Sequence, residues 1–519
     1  MAHRYLLLST LLISTCSSAQ QVDWLRSAPV HWNMNPDATR HLVSAAPDGA
    51  VDLARQDSLG GAASSYRIER YDESGTVLWS LPVGTNVQVQ SLFTDASGQV
   101  YAGGLFSGDL VVQEDTLHAV GEHAFLLAIS NSGEPLWSRD LLPEFPFAQQ
   151  VPCIRFDANG HGWFCVTDFN NATLVRFDEL GADVETRAIN GVRTIGGFDF
   201  DPFDNVFVSG SASSTSPFSC GGLDTTIIES YAMFVLRMDA TGVASWVRFA
   251  HDETFQRPCV VADDAGNAFV AGHLLVGTSF GAISFHGPNW VYDTFLLKVD
   301  AMGNFVWGLE SAPAGGPITG DFDRSADQCI AKGQNGRVYL LGAVRGQVQW
   351  GNGISSDGIT LGGMAQSVIC FNAEGTAQWQ TTGEVNGFFS GSQNICADAN
   401  SVIHCATQAS GAFTFGGITV DAGGQQAVVA RITDLLTTSV QEQAVAMDVL
   451  AYPSPFIDAL YLASPQQAAL GPVRAVDMSG RVVFDGVYNG SLGVGWSPGV
   501  YAISVIVNHV THTLRVVKE

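Results

Sequence analysis

The stretch that decides the fold reads Phe295-Leu-Leu-Lys-Val-Asp-Ala-Met-Gly303, with Trp307 four residues further on. Its apolar start predicts a β-strand. The Asp-x-x-Gly that follows predicts a tight turn, because glycine adopts positive φ freely and Asp accepts hydrogen bonds from nearby backbone amides. The apolar residues around the Trp predict a second strand, so the stretch is expected to form a β-hairpin.

The same hairpin recurs along the chain. Copies with both the turn glycine and the Trp occupy residues 66–79, 125–137, 234–246 and 367–379. The copy at residues 173–181 lacks the Trp, and the copy at residues 428–436 lacks both the glycine and the Trp strand. With the first stretch, this element therefore occurs seven times.

A second hairpin alternates with the first. Its clearest copy is Asp95-Ala-Ser-Gly98, with an aromatic residue three positions and a glycine six positions after Gly98. It returns at residues 157–166, 201–210, 263–272, 332–342 and 397–406, and another copy begins at residue 46. Two hairpins make a four-stranded sheet, and radially repeated four-stranded sheets are typical of a β-propeller.

The ends of the repeat region predict how such a ring would close. The seventh copy lacks its Trp strand, whereas Val22-Asp23-Trp24-Leu25-Arg26 is a Trp strand without a hairpin. Placing this strand in the last sheet completes seven sheets and removes two open edges. The sequence thus predicts an all-β, seven-bladed β-propeller over residues 20–440, closed by its N-terminal strand. We expect each Trp to pack between sheets rather than to bind a ligand.

Over residues 22–437 these repeats resemble the SBBP-type β-propeller repeats of secreted bacterial proteins. The resemblance rests on the Phe-Leu-x-Lys-x-Asp-x-x-Gly-x-x-x-Trp pattern, best preserved at residues 295–307. It implies an architecture and no particular activity, because propellers host many unrelated functions.

The chain changes character after a linker at residues 441–447. Tyr452-Pro-Ser-Pro-Phe456 interrupts any strand, because proline cannot donate to a sheet ladder. Short runs of alternating apolar residues follow, and they predict successive strands of a small antiparallel β-sandwich over residues 448–519.

This tail resembles the C-terminal sorting domain of the type IX secretion system of Bacteroidetes-like bacteria. The match includes the Pro-x-Pro-Phe opening, an Asp-x-x-Gly-Arg turn, a Gly-Val-Tyr strand and a basic end, with Ser454 where the family usually has Asn. The resemblance implies that the type IX machinery binds this tail and removes it after outer-membrane passage. The residues that carry the expected sorting signal are Tyr452, Pro453, Pro455, Phe456, Asp458, Gly480, Arg481, Gly499, Tyr501 and Lys518.

Residues 1–19 have the three parts of a signal peptide. His3 and Arg4 form a basic start, residues 5–13 are mostly apolar, and small residues at 17–19 offer a cleavage site. Lipidation at Cys16 is the alternative that we disfavour, because Thr15 is larger than the residue usual before a lipidated cysteine. No later stretch is long and apolar enough to predict a transmembrane segment. The mature protein is therefore expected to be secreted or attached to the outer cell surface.

The composition excludes nucleic acid as a natural partner. The formal net charge is −26, with 24 Lys and Arg among 519 residues, and such a chain repels polyanions. The low charged fraction of 14% and the 56 glycines fit short strands joined by turns.

Eight cysteines follow the signal peptide, an even number that permits disulfides in an exported protein. Cys153, Cys259 and Cys329 each lie seven residues before the turn glycine of their repeat, which predicts equivalent buried strand positions. The pairs Cys153/Cys165 and Cys396/Cys405 each flank a hairpin turn and are candidates for a bond across it.

No catalytic, cofactor-binding or metal-binding residue is assigned from the sequence. Two acidic clusters, at residues 199–205 and 321–327, have the oxygen ligands that calcium takes but not the order of a known calcium loop. His161, His273, His286 and His404 stand apart, without metal-binding spacing. They are expected to be ordinary hydrogen-bonded side chains.

Three functions remain open. We favour a non-enzymatic module that binds a glycan or protein through its loops. The alternatives are a secreted enzyme, either polysaccharide-active or quinoprotein-like, and a structural adhesion component. Charged residues converging at the mouth of the central channel would favour an enzyme, and an exposed aromatic rim would favour a binding module. The insertions at residues 211–231, 281–292 and 311–327 are expected to set specificity.

Overall fold

The computed structural model describes residues 19–30, 40–57, 65–112, 115–228, 230–251, 257–288, 293–311, 320–325, 327–358, 364–435, 450–452, 455–463, 470–477, 481–507 and 510–518. The expected signal peptide (all but residue 19), the linker, Pro453 and Gly480 lie outside these residues. The chain divides into two compact units, Met1–Thr438 and Ser439–Glu519. In the described residues the fold is all-β, with one short 3-10 turn at Gln334–Gly336.

The first unit begins with strands that form one antiparallel sheet per repeat. Their bounds are β1 (Gln20–Pro29), β2 (Leu42–Ala45), β3 (Val51–Gln56), β4 (Ser65–Tyr71), β5 (Val77–Thr85), β6 (Val87–Thr94), β7 (Val100–Val112), β8 (Asp115–Ile129), β9 (Pro135–Asp140), β10 (Gln150–Phe156), β11 (Gly162–Thr167), β12 (Asn171–Phe177) and β13 (Asp183–Asn190). Sheet 1 is β2-β3-β4-β5, sheet 2 is β6-β7-β8-β9, and sheet 3 contains β10-β11-β12-β13.

The next strands repeat this order with short extra hairpins. Their bounds are β14 (Val192–Phe200), β15 (Val206–Ala212), β16 (Phe218–Cys220), β17 (Leu223–Thr225), β18 (Ala232–Met238), β19 (Ala244–His251), β20 (Cys259–Ala262), β21 (Ala268–Leu274), β22 (Thr278–Phe280), β23 (Ile283–Phe285), β24 (Asp293–Val299) and β25 (Phe305–Glu310). Sheet 4 is β14-β15-β18-β19 and sheet 5 is β20-β21-β24-β25.

The last repeats share one long strand. Their bounds are β26 (Gly320–Arg324), β27 (Ile330–Lys332), β28 (Val338–Gly351), β29 (Ile354–Asp357), β30 (Ala365–Phe371), β31 (Ala377–Ala397), β32 (Val402–Phe415), β33 (Ile418–Val420) and β34 (Gln425–Asp434). The start of β31 pairs with β30 and ends sheet 6, and the rest of β31 pairs with β32 and begins sheet 7.

Strand β1 completes sheet 7. It lies antiparallel to β34, with Trp24 opposite Arg431. This pairing confirms the predicted placement of the Trp24 strand beside the last repeat. The two ends of the repeat region are thereby joined through backbone hydrogen bonds, which removes the open edge of β34.

Five of the repeated Trp residues join their sheet to a neighbouring sheet by an indole hydrogen bond, whereas the indole N–H of Trp379 is buried without a partner among the described residues. The Trp79 indole Nε1 donates to the carbonyl of Asn131, 2.9 Å away, in the turn of the following sheet. A Cβ atom on the turn glycine Gly133 would lie 2.7 Å from the Trp79 ring, so a larger residue is excluded. The expected packing of Trp between sheets is thus confirmed. The same donor-to-carbonyl bond links Trp24 to Glu73, Trp137 to Glu179, Trp246 to Ala301 and Trp307 to Ala373.

Where a repeat lacks its Trp, an arginine makes the junction. Arg187 donates to the carbonyl of Ala240 at 2.7 Å in the next turn. Three repeats also have an arginine two positions after the Trp. The guanidinium of each donates a hydrogen bond to the carbonyl of the turn glycine in the next sheet: Arg26 to Gly75, Arg139 to Gly181, and Arg248 to Gly303. Sequence reasoning identified the Trp of this joint and missed the Arg.

The first expected specificity insertion contains a short hairpin, and the second contains the strand β23 of another. Phe218 on β16 is buried against Phe234, and Phe285 on β23 is buried against Phe295. Residues 312–319 of the third insertion lie outside the described residues. The hairpins β16-β17 and β22-β23 therefore pack apolar side chains against strands β18 and β24.

The second unit has its own core. Its strands are β35 (Leu450–Tyr452), β36 (Tyr461–Ala463), β37 (Leu470–Asp477), β38 (Val482–Val487), β39 (Gly499–Val507) and β40 (Val510–Lys518). They form a two-stranded β35-β36 pair and a four-stranded sheet ordered β38-β37-β39-β40. Leu462, Val473, Ile503 and Val516 from both groups share one buried cluster. In neither unit do the described residues include a helix with the length and apolarity needed to cross a membrane.

Candidate functional site: a central cavity with a cationic lining

The first strands of the successive sheets in the first unit contact one another. Each contacts the next in chain order, through β2, β6, β10, β14, β20, β27 and β31, and β31 contacts β2 again. A cavity of about 210 Å³ is lined by residues of all these strands or of the loops that lead into them. Every sheet of the first unit thus contributes to this cavity.

Cations dominate the charged residues of the cavity wall. Among the described lining residues, Arg40, Arg155, Arg257 and Lys332 are cationic, and Asp327 is the one carboxylate. The protein as a whole carries a net charge of −26 with only 24 Lys and Arg. A cleft lined by one sign of charge concentrates ions of the opposite sign, so this wall favours an anion.

Two of the arginines are held by partners that orient them. Arg40 Nη1 lies 3.4 Å from Asp327 Oδ1 and 3.4 Å from the carbonyl of Gln90. Arg155 Nη1 donates to the carbonyl of Ile154 at 2.8 Å, and its Nε lies 3.8 Å from Asp199 Oδ1. The Arg155 guanidinium therefore retains donor capacity beyond these contacts, because it carries five N–H groups.

Arg257 reaches the cavity from an unusual backbone conformation. Its φ is +56°, in the left-handed region that non-glycine residues rarely adopt. A Cβ atom on the neighbouring Gly196 would collide with the carbonyl oxygen of Pro258. Glycine at position 196 thus lets the Arg257 segment approach strand β14. Residues held in sparsely populated conformations cluster at functional sites.

Three uncharged polar side chains of the wall bond between neighbouring first strands. Ser44 Oγ accepts from Thr94 N at 2.8 Å, and Gln90 Oε1 accepts from Val151 N at 2.8 Å. Asn394 Oδ1 accepts from Val43 N at 3.1 Å. These side chains join adjacent sheets at the cavity wall, so they hold the lining in place.

The cysteines are thiols in the structure, and their burial matches one expectation. Cys153, Cys259 and Cys329 are all buried, which confirms the predicted equivalent buried positions. Cys153 and Cys165 are direct cross-strand neighbours on β10 and β11, although no bond joins them. Residue 395 is the one opposite Cys405, so Cys396 projects from the other face of the sheet. A bond between Cys396 and Cys405 is therefore disfavoured.

The acidic residues of each candidate calcium cluster point to different partners. Asp199 Oδ2 accepts from Ala262 N, Asp201 bonds to Asn205 of its own turn, and Asp204 bonds to the backbone of Ala158. In the second cluster Asp323 bonds to His273 and Asp327 pairs with Arg40, while Asp321 is buried. Within the described ranges no group of three or more His, Cys, Asp or Glu is arranged to hold a metal ion.

The four histidines singled out in the sequence have separate surroundings. His161 bonds to Asp157, His286 to Glu310 and His273 to Asp323. His404 is fully buried, with both ring nitrogens unbonded in the described structure, and burial lowers its pKa to about 3. None of them belongs to the cavity lining.

The expected sorting residues fall into a buried group and an exposed group. Phe456 and Tyr501 are buried in the core of the second unit, where Trp496 lies between their rings. The Lys518 ammonium donates to the carbonyls of Ile457 and Gly493 and lies 4.9 Å from the Phe456 ring. Lys518, the basic residue near the end of the chain, is thus buried against Phe456 of the Pro-x-Pro-Phe segment and the next residue, Ile457.

The other sorting residues lie at the surface. Tyr452, Pro455 and Asp458 are exposed. Arg481 is exposed and pairs with Asp477 at 3.1 Å across the predicted turn, and Gly499 begins β39. Exposed Tyr452, Asp458 and Arg481 are therefore accessible to a partner protein.

No model of a known protein family matches this sequence, and no curated protein matches it. Among solved structures, a protein from Lactobacillus plantarum aligns over 74% of this chain and 96% of its own, with 12% identity and a TM-score of 0.39. A eukaryotic initiation factor covers 76% of this chain and 90% of its own, at 11% identity and a TM-score of 0.36. A variant of Synechocystis apocarotenoid oxygenase covers 80% of this chain and 93% of its own, at 10% identity and a TM-score of 0.32. Likeness at these values carries no argument about function.

Proposed function

We propose that residues 20–435 form a seven-bladed β-propeller whose central cavity binds a small anionic ligand, an acidic sugar of a surface or released glycan. Support comes from one observation above all, the four cations and one carboxylate that line a cavity in a strongly acidic protein. The chain of first-strand contacts from β2 round to β31 supports the ring architecture.

The size and lining of the cavity favour a sugar carboxylate. The cavity volume is about 210 Å³. Pockets for drug-sized ligands are larger, with volumes of roughly 300 Å³ or more, whereas a ligand of about one sugar unit fits the smaller space. Arginine forms paired hydrogen bonds with carboxylates, and the Gln328 amide oxygen and the Ser91 hydroxyl oxygen in the wall can accept hydrogen bonds from sugar hydroxyls.

The lining favours binding over glycoside cleavage. Glycosidases usually need two carboxyl groups on either side of the scissile bond. Asp327 is the one carboxylate among the described lining residues, and it lies 3.4 Å from Arg40. Charged residues do converge at the cavity, a feature that would favour an enzyme. Cations without a second carboxylate, however, support electrostatic binding of an anionic ligand.

The test is calorimetric titration of the full-length protein with a monomeric uronic acid and with the neutral sugar of the same ring configuration. We expect saturable binding of the acid alone, weakened by salt because charge attraction is screened. Arg155→Gln should weaken it about tenfold or more, since a hydrogen bond to a charged group contributes roughly 1.5–3 kcal/mol. Arg193→Gln is the matched control, because Arg193 is an exposed residue on neighbouring strand β14 outside the lining. Equal binding of both sugars would contradict the proposal.

We propose further that the second unit directs export by the type IX route. The motifs of residues 452–518 support this proposal. The division of the motif residues into a buried group and an exposed group that contains Tyr452, Asp458 and Arg481 also supports it. Removing residues 450–519 should leave the protein in the periplasm of a host with that system. Arg474→Gln, a change at another exposed residue of the unit, should leave export intact. Surface delivery without the second unit would refute this part.

A further inference from the structure

Two cysteines from neighbouring sheets meet beside the cavity wall. Cys259 begins β20 in sheet 5, and Cys329 directly precedes β27 in sheet 6. The backbone N–H of Cys329 donates to Cys259 Sγ at 3.4 Å, and Cys259 Sγ in turn lies 3.0 Å from the carbonyl oxygen of Asp327. Both side chains are fully buried. The packing of two sheets therefore holds the Cys259 sulfur against the backbone of Cys329.

The surroundings of this pair favour thiolate chemistry. Arg324 Nη1 lies 3.8 Å from Cys259 Sγ, and the same guanidinium nitrogen donates to the carbonyl of Ser325 at 2.9 Å. The contact with Cys329, together with the Arg324 charge, lowers the pKa of Cys259, whereas burial raises the pKa of Cys329. A thiolate is the form that attacks a disulfide, and the Arg324 charge would stabilise it as the two sheets come together during folding.

The other close cysteine pair differs in what its thiols contact. Cys153 Sγ lies 3.7 Å from the carbonyl of Phe198, in sheet 4, and Cys165 Sγ lies 3.9 Å from the carbonyl of Val166. Burial raises the pKa of both thiols. Cys259 Sγ also has a main-chain acceptor, the carbonyl of Asp327 at 3.0 Å, so the difference between the pairs lies in the Arg324 guanidinium that contacts Cys259 Sγ.

We propose that Cys259 and Cys329 form a disulfide that links sheets 5 and 6 at the cavity wall. The inference rests on the proposed export only for the place where the bond forms in cells, since exported compartments are oxidising. The bond closes a loop between positions 70 residues apart in sequence. It also anchors the segment that carries Asp327, the partner of Arg40 in the cavity.

The bond forms by exchange with the disulfide of a thiol oxidase or of glutathione. The Cys259 thiolate attacks one sulfur of the donor disulfide and releases the other sulfur as a thiolate. Cys329, deprotonated in turn, attacks the Cys259 sulfur and releases the second donor thiolate. The protein loses two electrons and two protons, and the donor becomes two thiols. Because both side chains are buried in the folded state, exchange takes place while the chain folds.

The test counts thiols after refolding the full chain, without its signal peptide, in a glutathione redox buffer. The protein is then denatured and alkylated, and its peptides are mapped by mass spectrometry. We expect six of the eight cysteines to be alkylated and one crosslinked peptide pair to contain Cys259 and Cys329. Eight alkylated cysteines, or a crosslink between Cys153 and Cys165 instead, would overturn the proposal. Because this oxidation takes place in vitro, a failure of export leaves the result unaffected.

Thermal unfolding supplies a second readout. Reduction should lower the Tm of the oxidised wild-type protein by about 5 °C, because a loop of this length constrains the unfolded chain. The double variant C259A/C329A should have the same Tm with and without reductant. The control Cys220→Ser lies in another sheet, with its Sγ 3.3 Å from Met238 Sδ, and should keep the reductant-dependent shift. A wild-type Tm that reductant does not change would count against the bond.

Discussion

Neighbouring sheets of the first unit meet at an outer joint and at an inner wall, and the two junctions are built differently. At five junctions the outer joint repeats one chemistry, in which a Trp indole donates to a carbonyl of the next turn, and four of these indoles also pack on the turn glycine. The inner wall uses a different contact at each junction, such as Ser44 with Thr94 and Gln90 with Val151.

This difference separates architecture from function. The outer joint must satisfy the same geometry at each junction, so its residues recur in sequence. At the inner wall any hydrogen bond between adjacent first strands is sufficient, so the residues that form it can differ from one junction to the next. The cations Arg40, Arg155, Arg257 and Lys332 belong to this variable wall, where a ligand-binding lining can be built without disturbing the repeat.

The largest effect is expected at the outer joint. Gly133→Ala should destabilise the first unit by about 3 kcal/mol or more, because overpacking and a positive φ both carry a cost. The new methyl would lie 2.7 Å from the Trp79 ring, and φ at this position is +88°. Chemical denaturation followed by Trp fluorescence measures this change.

Gly160→Ala is the matched control for that substitution. Its φ is +80°, but nothing lies within 4 Å of the added methyl. Only the backbone cost of about 1–2 kcal/mol should remain. Equal losses for the two variants would show that the contact between Trp and glycine does not determine the joint.

A smaller effect is expected from two buried histidines outside the repeated joint. Burial, with a contribution from Arg55 at His41 and from Arg431 at His404, lowers the pKa of each to about 3. In the unfolded chain the pKa is about 6.5. Between these values the unfolded state binds more protons, so the free energy of unfolding falls as the pH falls from about 6.5 toward about 3. At a pH of about 4.5 each histidine should lower the free energy of unfolding by about 2–3 kcal/mol.

Denaturation of wild type and His404→Leu between pH 7.5 and pH 4.5 tests this dependence. The variant should lose less stability on acidification, because one of the two protonation sites is gone. His161→Gln, at an exposed position paired with Asp157, should follow the wild-type curve. Parallel curves for His404→Leu and wild type would contradict the assignment.

The smallest stability effect is expected at the inner wall. The Arg155 side chain is partly solvated, and its ion pair with Asp199 is long, at 3.8 Å. Arg155→Gln should therefore change the free energy of unfolding by less than about 1 kcal/mol. The same variant should lose the uronic acid affinity described above. A large loss of stability in Arg155→Gln would mean that this arginine maintains the wall and does not serve a ligand.

Sequence reasoning identified the strands and the Trp joint because both are periodic. It also placed Trp24 beside the last repeat, because a missing strand at one end matched a spare strand at the other. The cavity cations carried no such signal, since Arg40, Arg155, Arg257 and Lys332 lie at unrelated spacings. The Cys259–Cys329 contact was missed for the same reason, because a junction between sheets brings together residues 70 positions apart.

The sequence by itself determined the all-β class, the turn at each Asp-x-x-Gly and the pairing of the first and last strands of the repeat region. Local turn chemistry and alternating apolar residues act over a few positions, so a single repeat contains enough information. Only the tertiary structure decided which side chains share the cavity, because each sheet contributes its residues from distant parts of the chain. It also decided that Lys518 is buried against Phe456, a contact between the two ends of the second unit that no local pattern encodes.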